Sequence, residues 1–538
     1  MRLASIIVLM LATTAGAAVA QARPGASDQP DQQERAAAHA QAQRTHRDAM
    51  IAEVEDAWAR PAVDEHTSVS HGSVTVGGQR IAYTATAGTL TIRDGDGKPT
   101  ASIFYTAYTR DGVPARDRPV TFFYNGGPGS ATVWLHMGSF APVRVQTGEP
   151  VYIHPAPYAF GPNPDSLIDA TDMVFIDAVG AGWSRPLGEK TGRDFWGVDQ
   201  DADAFARAIE RYVTINGRWS SPKFLFGESY GTLRNGAVAA KLEEGGLSLN
   251  GIVFLSSILN YGVRQPGYDQ DYLVLLPSYA ATAWYHNHLP NRPADLPAFL
   301  DQVRAFASGP YAAALAKGST LPAAEAQQIA QQMSQYIGIS PDYILRANLR
   351  VDLRHFETEL LRDRRQVVGR LDSRYLLNPT DANADSPTDD PASTATTGAF
   401  VASFQDYARH TLGYRTELPY NVSARTPDFR WDWNHRPPGT RGGAFGGQTS
   451  PNTAVDLAYT MRTNPYLKVL FLNGYFDLAT PFFGTEFDVN HMLLDDNLQR
   501  NVGFRYYQSG HMVYMNPATL HQMHDDLVAW YRQTLSAQ

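Results

Sequence analysis

The chain has no cysteine among its 538 residues. This excludes disulfides, thiolate metal sites and cysteine nucleophiles, and leaves a fold of this length to be held by core burial alone. A strong charge is missing too. The formal balance is a mildly acidic −9 and no lysine-arginine cluster is present to meet phosphates, which excludes nucleic acid as a partner. After the first 20 residues no apolar run is long enough to span a bilayer, so no stable membrane insertion is expected. The opening MRLASIIVLMLATTAGAAVAQ differs from the rest: one arginine, an apolar stretch, then Ala18-Val19-Ala20 as an A-x-A cleavage pattern. Residues 1–20 read as a removable signal peptide, which places the mature protein outside the cytoplasm, secreted or periplasmic.

Residues 21–60 are rich in Ala, Gln, Asp and Arg with few large apolar side chains, and read as a leader or flexible segment. From Ser73 to Thr109 the stretches SVTV, RIAYTATA, TLTIRD and ASIFYTAYT alternate apolar and polar residues, the pattern of antiparallel hairpins. Short apolar runs then follow, VTFFY (120–124), MVFID (173–177), KFLF (223–226) and GIVFL (251–255), as expected of strands buried on both faces. Helical spacing separates them, between Val198 and Asn216 and again from Tyr230 to Glu244. Strand and helix alternating in this way argue for a parallel sheet with right-handed crossovers.

Between 260 and 450 the alternation lapses. Helical stretches such as AAEAQQIAQQMSQYI and LRHFETELLRDRRQVV dominate, and the segment reads as a mainly helical cap inserted into a core of 61–259 and 451–538. Inside it, NPTDANADSPTDDPASTATTG (378–398) reads as a solvated loop. Alternation resumes with a helix near Ala454 to Arg462, the strands KVLFL (468–472) and VGFRYY (502–507), and a closing helix carrying Leu520, Met523, Leu527 and Trp530.

FLFGESYGTL (224–233) contains G-x-S-x-G between a buried strand and a helix, which marks Ser229 as a candidate nucleophile. A serine needs a base within hydrogen-bond reach and a carboxylate to fix that base's tautomer. KVLFLNGYFD delivers Asp477 and VGFRYYQSGH delivers His511, each just past the carboxyl end of a strand and so on the same sheet edge as Ser229. The chain order Ser, Asp, His is that of the α/β-hydrolase fold, a mostly parallel central sheet here carrying the cap. An oxyanion hole needs two backbone N–H groups: one from Tyr230, after the nucleophile, and one from NGGPGS (125–130), with Gly127 the candidate. His286, His288, His521 and His524 lack a third ligand at metal spacing and read as surface histidines; no metal or other cofactor is implied.

Together NGGPGS, DMVFIDAVGAGWS (172–184), GESYG, NGYFDLATP (473–481) and SGHM (509–512) resemble the serine carboxypeptidases, in that family's order. The resemblance implies Ser229, Asp477 and His511 as the triad, and Gly127 and Tyr230 as oxyanion donors. It implies Asn125 and Glu228 as the groups that hold the terminal carboxylate of a peptide substrate with a free C-terminus. Because a glutamic acid hydrogen-bonds a carboxylate only when one of the two keeps a proton, acidic working conditions are expected. Ser139 stands where the family commonly has a second carboxylate-binding Glu, and Phe123, Ser130 and Ala178 replace a Trp, a Cys and a Pro of the family pattern.

The expected function is an exported serine carboxypeptidase working through an acyl-enzyme. An esterase or acyltransferase with the same triad, and a non-catalytic binding protein on the same fold, are the alternatives.

Overall fold

The computed structural model describes Gln41 and residues 63–536, apart from 149, 266, 425, 428 and 441–446. The expected signal peptide and nearly all of the expected leader therefore lie outside the described residues.

The strands of the main sheet are β1 (Thr67–Val76), β2 (Gln79–Arg93), β3 (Pro99–Arg110), β4 (Val120–Tyr124), β5 (Asp172–Ile176), β6 (Lys223–Glu228), β7 (Gly251–Leu255), β8 (Lys468–Gly474) and β9 (Val502–Tyr507). They lie in the order β1-β2-β3-β5-β4-β6-β7-β8-β9, and the short Arg185–Pro186 strand pairs with β3 to make ten. β1, β2, β3 and β5 pair antiparallel, as the alternating pattern of 73–109 requires. Every pairing from β5 through β4 to β9 is parallel. This is an α/β-hydrolase fold.

The continuous apolar character of the parallel strands β4 to β8 follows from burial on both faces, while the edge strand β9 is half-buried. Phe123, Phe226, Val253 and Leu470 belong to one core with the closing helix (Pro517–Ser536), while Phe122, Leu225, Phe254 and Phe471 belong to the core on the opposite face. A third core packs the helices Gln270–Tyr285, Leu296–Phe306 and Ala323–Ile337 against Tyr475, Phe476 and Leu478. The loop that carries Asp477 is thus buried under helices from the 260–450 segment.

That segment also contains departures from the sequence reading. LRHFETELLRDRRQVV is α-helical only over Leu353–Glu359; Arg365 then turns left-handed at φ 55°, and Val367–Val368 pair with Leu376–Leu377. Two β-branched residues buried in a hairpin outweigh the helical spacing before them. The end of the 378–398 tract is not loop either. A helix runs over Pro391–His410, with Asp390 accepting from Ser393 N as its N-cap and Pro391 at its first position, a start signal that the Pro- and Thr-rich composition masks. No helix among the described residues is long and apolar enough to cross a membrane.

Candidate active site

β6 ends at Glu228 and the next helix begins at Tyr230, so Ser229 alone makes the turn. It does so at φ 61°, ψ −130°, a conformation that costs a non-glycine residue of order 1–3 kcal/mol and is kept only where the surroundings impose it. The surroundings here are close backbone packing. A Cβ on Gly227 would collide with the Gly231 carbonyl, and one on Gly231 would lie 2.9 Å from the Tyr124 carbonyl. Both glycines of G-x-S-x-G are needed for the turn to fit, and Gly126 is needed for the same reason, since its Cβ would press on the backbone nitrogens of Tyr230 and Gly231.

Parallel register brings the other two candidates to the same edge. Leu255 pairs with both Glu228 and Leu472, and Gly474 pairs with Tyr507, so the loops to Asp477 and His511 leave the sheet beside Ser229. His511 Nδ1 lies 2.8 Å from Asp477 Oδ2. The Asp477 carboxylate is fully enclosed by donors: Ala479 N at 2.8 Å and Thr480 N at 2.9 Å to Oδ1, and the Thr480 hydroxyl at 2.5 Å to Oδ2. The His511 backbone is clamped as well, its N–H donating to Leu371 O at 2.6 Å and its carbonyl accepting the Ser256 hydroxyl at 2.5 Å. With Nδ1 facing Asp477, Nε2 is the nitrogen left for chemistry. Burial disfavours the imidazolium, but the charge and hydrogen bond of Asp477 outweigh it and hold His511 above the ordinary histidine value.

Ser229, His511, Asn125, Gly127 and Glu228 line one cavity of about 410 Å³. Among the described residues the Ser229 hydroxyl makes no hydrogen bond, and neither the Gly127 nor the Tyr230 N–H donates to another group. The Tyr230 side chain points away and is buried against Trp431, with ring centroids 5.2 Å apart. Tyr230 itself does not line the cavity; its backbone N–H lies one residue beyond the lining residue Ser229.

Asn125 is fixed on three sides. Its Oδ1 accepts Leu135 N at 3.0 Å, its carbonyl accepts Arg234 Nη1 at 2.7 Å, and its Nδ2 donates to Glu228 Oε2 at 2.8 Å. Arg234 is itself buried and ion-paired to Asp201 at 2.6 Å, which ties the NGGPGS loop to two helices. The Tyr514 hydroxyl donates to the same Glu228 oxygen at 2.9 Å. Burial pushes the Glu228 carboxyl up to about 7, against a partial offset from the His511 charge and from its donors Tyr514 and Asn125. Ser139 does not line this cavity; it is buried, with its hydroxyl donating to Leu135 O at 2.5 Å.

All seven sequence candidates are thus at or beside one cavity. Thr480, Arg234 and Tyr514 are the supporting residues that sequence reasoning missed; Tyr514 is separated from Glu228 by 286 positions, and nothing in SGHMVYM marks it. His524, read from sequence as a surface residue, is buried, with Asp169 and Asp525 beside its ring. Among the described residues no group of three potential ligands is arranged to hold a metal ion.

The family model described as serine carboxypeptidase matches residues 78–245, the stretch that holds NGGPGS and GESYG. Over these residues the chain is similar to the serine carboxypeptidase family. No curated relative matches its sequence. Among solved structures it is similar to the prohormone-processing carboxypeptidase Kex1 from Saccharomyces cerevisiae, at 14% identity over 84% of this chain and 91% of that one, with a TM-score of 0.48. A proline iminopeptidase from Mycobacterium smegmatis is similar at 15% identity over 84% of this chain and 100% of that one, TM-score 0.34. A carboxyl esterase from Bacillus coagulans is similar at 11% identity over 83% and 98% respectively, TM-score 0.33.

Proposed function

We propose that the protein is an exported serine carboxypeptidase that releases C-terminal residues from peptides through an acyl-enzyme at Ser229. The observation that carries this reading is the convergence of two functions on one cavity: an oriented His511–Asp477 pair beside the strained Ser229 turn, and the Asn125–Glu228–Tyr514 cluster in reach of the same space.

In this mechanism a peptide enters with its terminal carboxylate toward Glu228 and Asn125. The protonated Glu228 donates to that carboxylate, since Oε2 is already engaged by Asn125 and Tyr514 and Oε1 is free to carry the proton. His511 Nε2 takes the Ser229 proton as Oγ attacks the scissile carbonyl, and Asp477 holds the tautomer and balances the imidazolium. The Gly127 and Tyr230 N–H groups, which have no other acceptor among the described residues, receive the oxyanion. His511 then protonates the leaving amine, and water repeats the cycle to free the acyl group.

The segment 260–450 acts as the cap over this site in the same proposal, and residues 1–20 direct export. A second reading, an esterase or acyltransferase using the same triad, is favoured by one observation: Ser139 offers no second acid to share a proton with Glu228. An active-site phosphonate tests the shared core of both. It should modify the full-length protein stoichiometrically at Ser229 and leave Ser229→Ala unmodified; labelling elsewhere, or none, would overturn the assignment.

A further inference from the structure

Arg264 and Arg370 line the same cavity as Ser229 and His511. Arg370 is exposed, and among the described residues its guanidinium has no hydrogen-bond or ion-pair partner. Its backbone is nonetheless held rigidly: the N–H donates to Asp390 Oδ2 at 2.7 Å, the carbonyl accepts Leu478 N at 3.1 Å, and the next carbonyl, of Leu371, accepts His511 N at 2.6 Å. This residue is therefore built into the loop ring that braces the candidate triad, one residue from His511's backbone partner.

The acids around it leave its charge available. Asp390 accepts the N–H groups of Arg370, Leu371 and Ser393 rather than a guanidinium. Asp372 is paired with Arg374 at 2.7 Å. Glu357 is buried, and burial pushes its carboxyl up to about 8 against the opposing charge of Arg370, with which it makes no ion pair. Arg264 donates to Ala479 O at 2.7 Å and lies 3.8 Å from Asp271, which fixes it in the wall with a distant counter-charge. Both guanidinium charges act on the half-buried Tyr261 phenol in the same wall. Besides Glu228, the carboxyl that lines the cavity with these two arginines among the described residues is that of Asp390, already occupied by its three N–H donors.

We propose that Arg370, supported by Arg264, binds a carboxylate of the substrate, so that the cavity selects peptides with an acidic group beside the scissile bond. The chemistry is guanidinium to carboxylate, and it has two sources: an Asp or Glu side chain, or the terminal carboxylate that Glu228 and Asn125 would otherwise hold without a cation. The proposal rests on the carboxypeptidase reading for the identity of the ligand, not for the existence of the anion site.

The test is binding of short N-acylated peptides to full-length Ser229→Ala protein, measured by calorimetry without turnover. Three ligands separate the sources: one ending in Glu α-amide, one ending in Gln free acid, and one ending in Gln α-amide. The expected result is that a ligand with a carboxylate binds about tenfold tighter than the Gln amide, that added Arg370→Ala removes this advantage, and that Arg370→Glu transfers it to a Lys amide. Advantage in the Glu amide assigns the site to an acidic side chain; advantage in the free acid alone, lost with Arg370, assigns it to the terminus. Equal binding of all three ligands, or an advantage unchanged by Arg370→Ala, would overturn the proposal. Hydrolysis of neutral free-acid peptides by the parent is measured in parallel: turnover with no carboxylate discrimination sinks the arginine site alone, and discrimination without turnover sinks the carboxypeptidase reading alone.

Discussion

The Tyr514 hydroxyl donates to Glu228 Oε2 at 2.9 Å, on the same oxygen that accepts Asn125 Nδ2 at 2.8 Å. Two donors on one oxygen leave the other oxygen of a buried carboxyl to meet a ligand. This arrangement makes Glu228 a group whose protonation, and hence whose use, is set by burial opposed by the His511 charge and two hydrogen bonds. Its consequences are measurable.

Glu228 is held up to about 7, so it keeps its proton below that pH and loses it above. A free-acid peptide should then bind well in acid and poorly as pH climbs through about 7, while His511 must be neutral to act as base and sits above its ordinary value. The expected kcat/KM for a free-acid peptide is a bell; for a blocked ester only the acid limb remains. Glu228→Gln supplies a permanent donor and should remove the alkaline limb for the peptide without changing the ester profile. Superimposable profiles for both substrates and both proteins would remove Glu228 from carboxylate recognition.

Tyr514→Phe deletes a donor that favours the charged form of Glu228, so the carboxyl should rise further. The alkaline limb for free-acid peptides should move up by about one pH unit, with the ester profile unchanged. A fall in activity on both substrates by the same factor would mean that Tyr514 serves only packing.

A second buried charge lies away from the cavity. His435 Nδ1 is 2.6 Å from Asp199 and Nε2 3.0 Å from Asp456, pinning the segment that carries Trp431 and Trp433 to two core helices. Burial alone would lower this histidine; its hydrogen bonds to the two aspartates dominate and push it up to about 9. A folded value above the unfolded one stabilises fully below about 6.5 and loses that contribution as pH rises through about 9. Urea midpoints of the parent should therefore fall across this window. His435→Gln should be less stable by about 3 kcal/mol at pH 6 and lack the decline. A parent midpoint that is flat between pH 6 and 9.5 would contradict the pairing.

The sheet was legible in the sequence because the parallel strands β4 to β8 are buried on both faces, the half-buried edge strand β9 keeps an aromatic run, and each candidate residue follows a strand closely. Glu228 ends β6, Asp477 comes three residues after Gly474, and His511 four after Tyr507; once strand direction is read, their shared edge follows. What supports them was not legible. Tyr514 reaches back to Glu228 through the turn after β9, Arg370 reaches the cavity from a hairpin loop, and Arg234 reads as one more polar residue on a helix until its buried contacts are seen. These depend on tertiary loop paths, which leave no period in the chain. Asp390-Pro391 is a different case: a helix start was written there, and the composition of the tract around it masked the local signal.

The most direct test of the central claim is mass spectrometry of one peptide incubated with purified protein in three forms: free C-terminus, C-terminal amide, and free C-terminus with Ser229→Ala. Stepwise loss of single residues from the free C-terminus is expected, with loss suppressed by amidation and a rate for Ser229→Ala lower by about 10⁴-fold or more. Internal cleavage, equal processing of the amide, or near-parental activity in folded Ser229→Ala would contradict that claim.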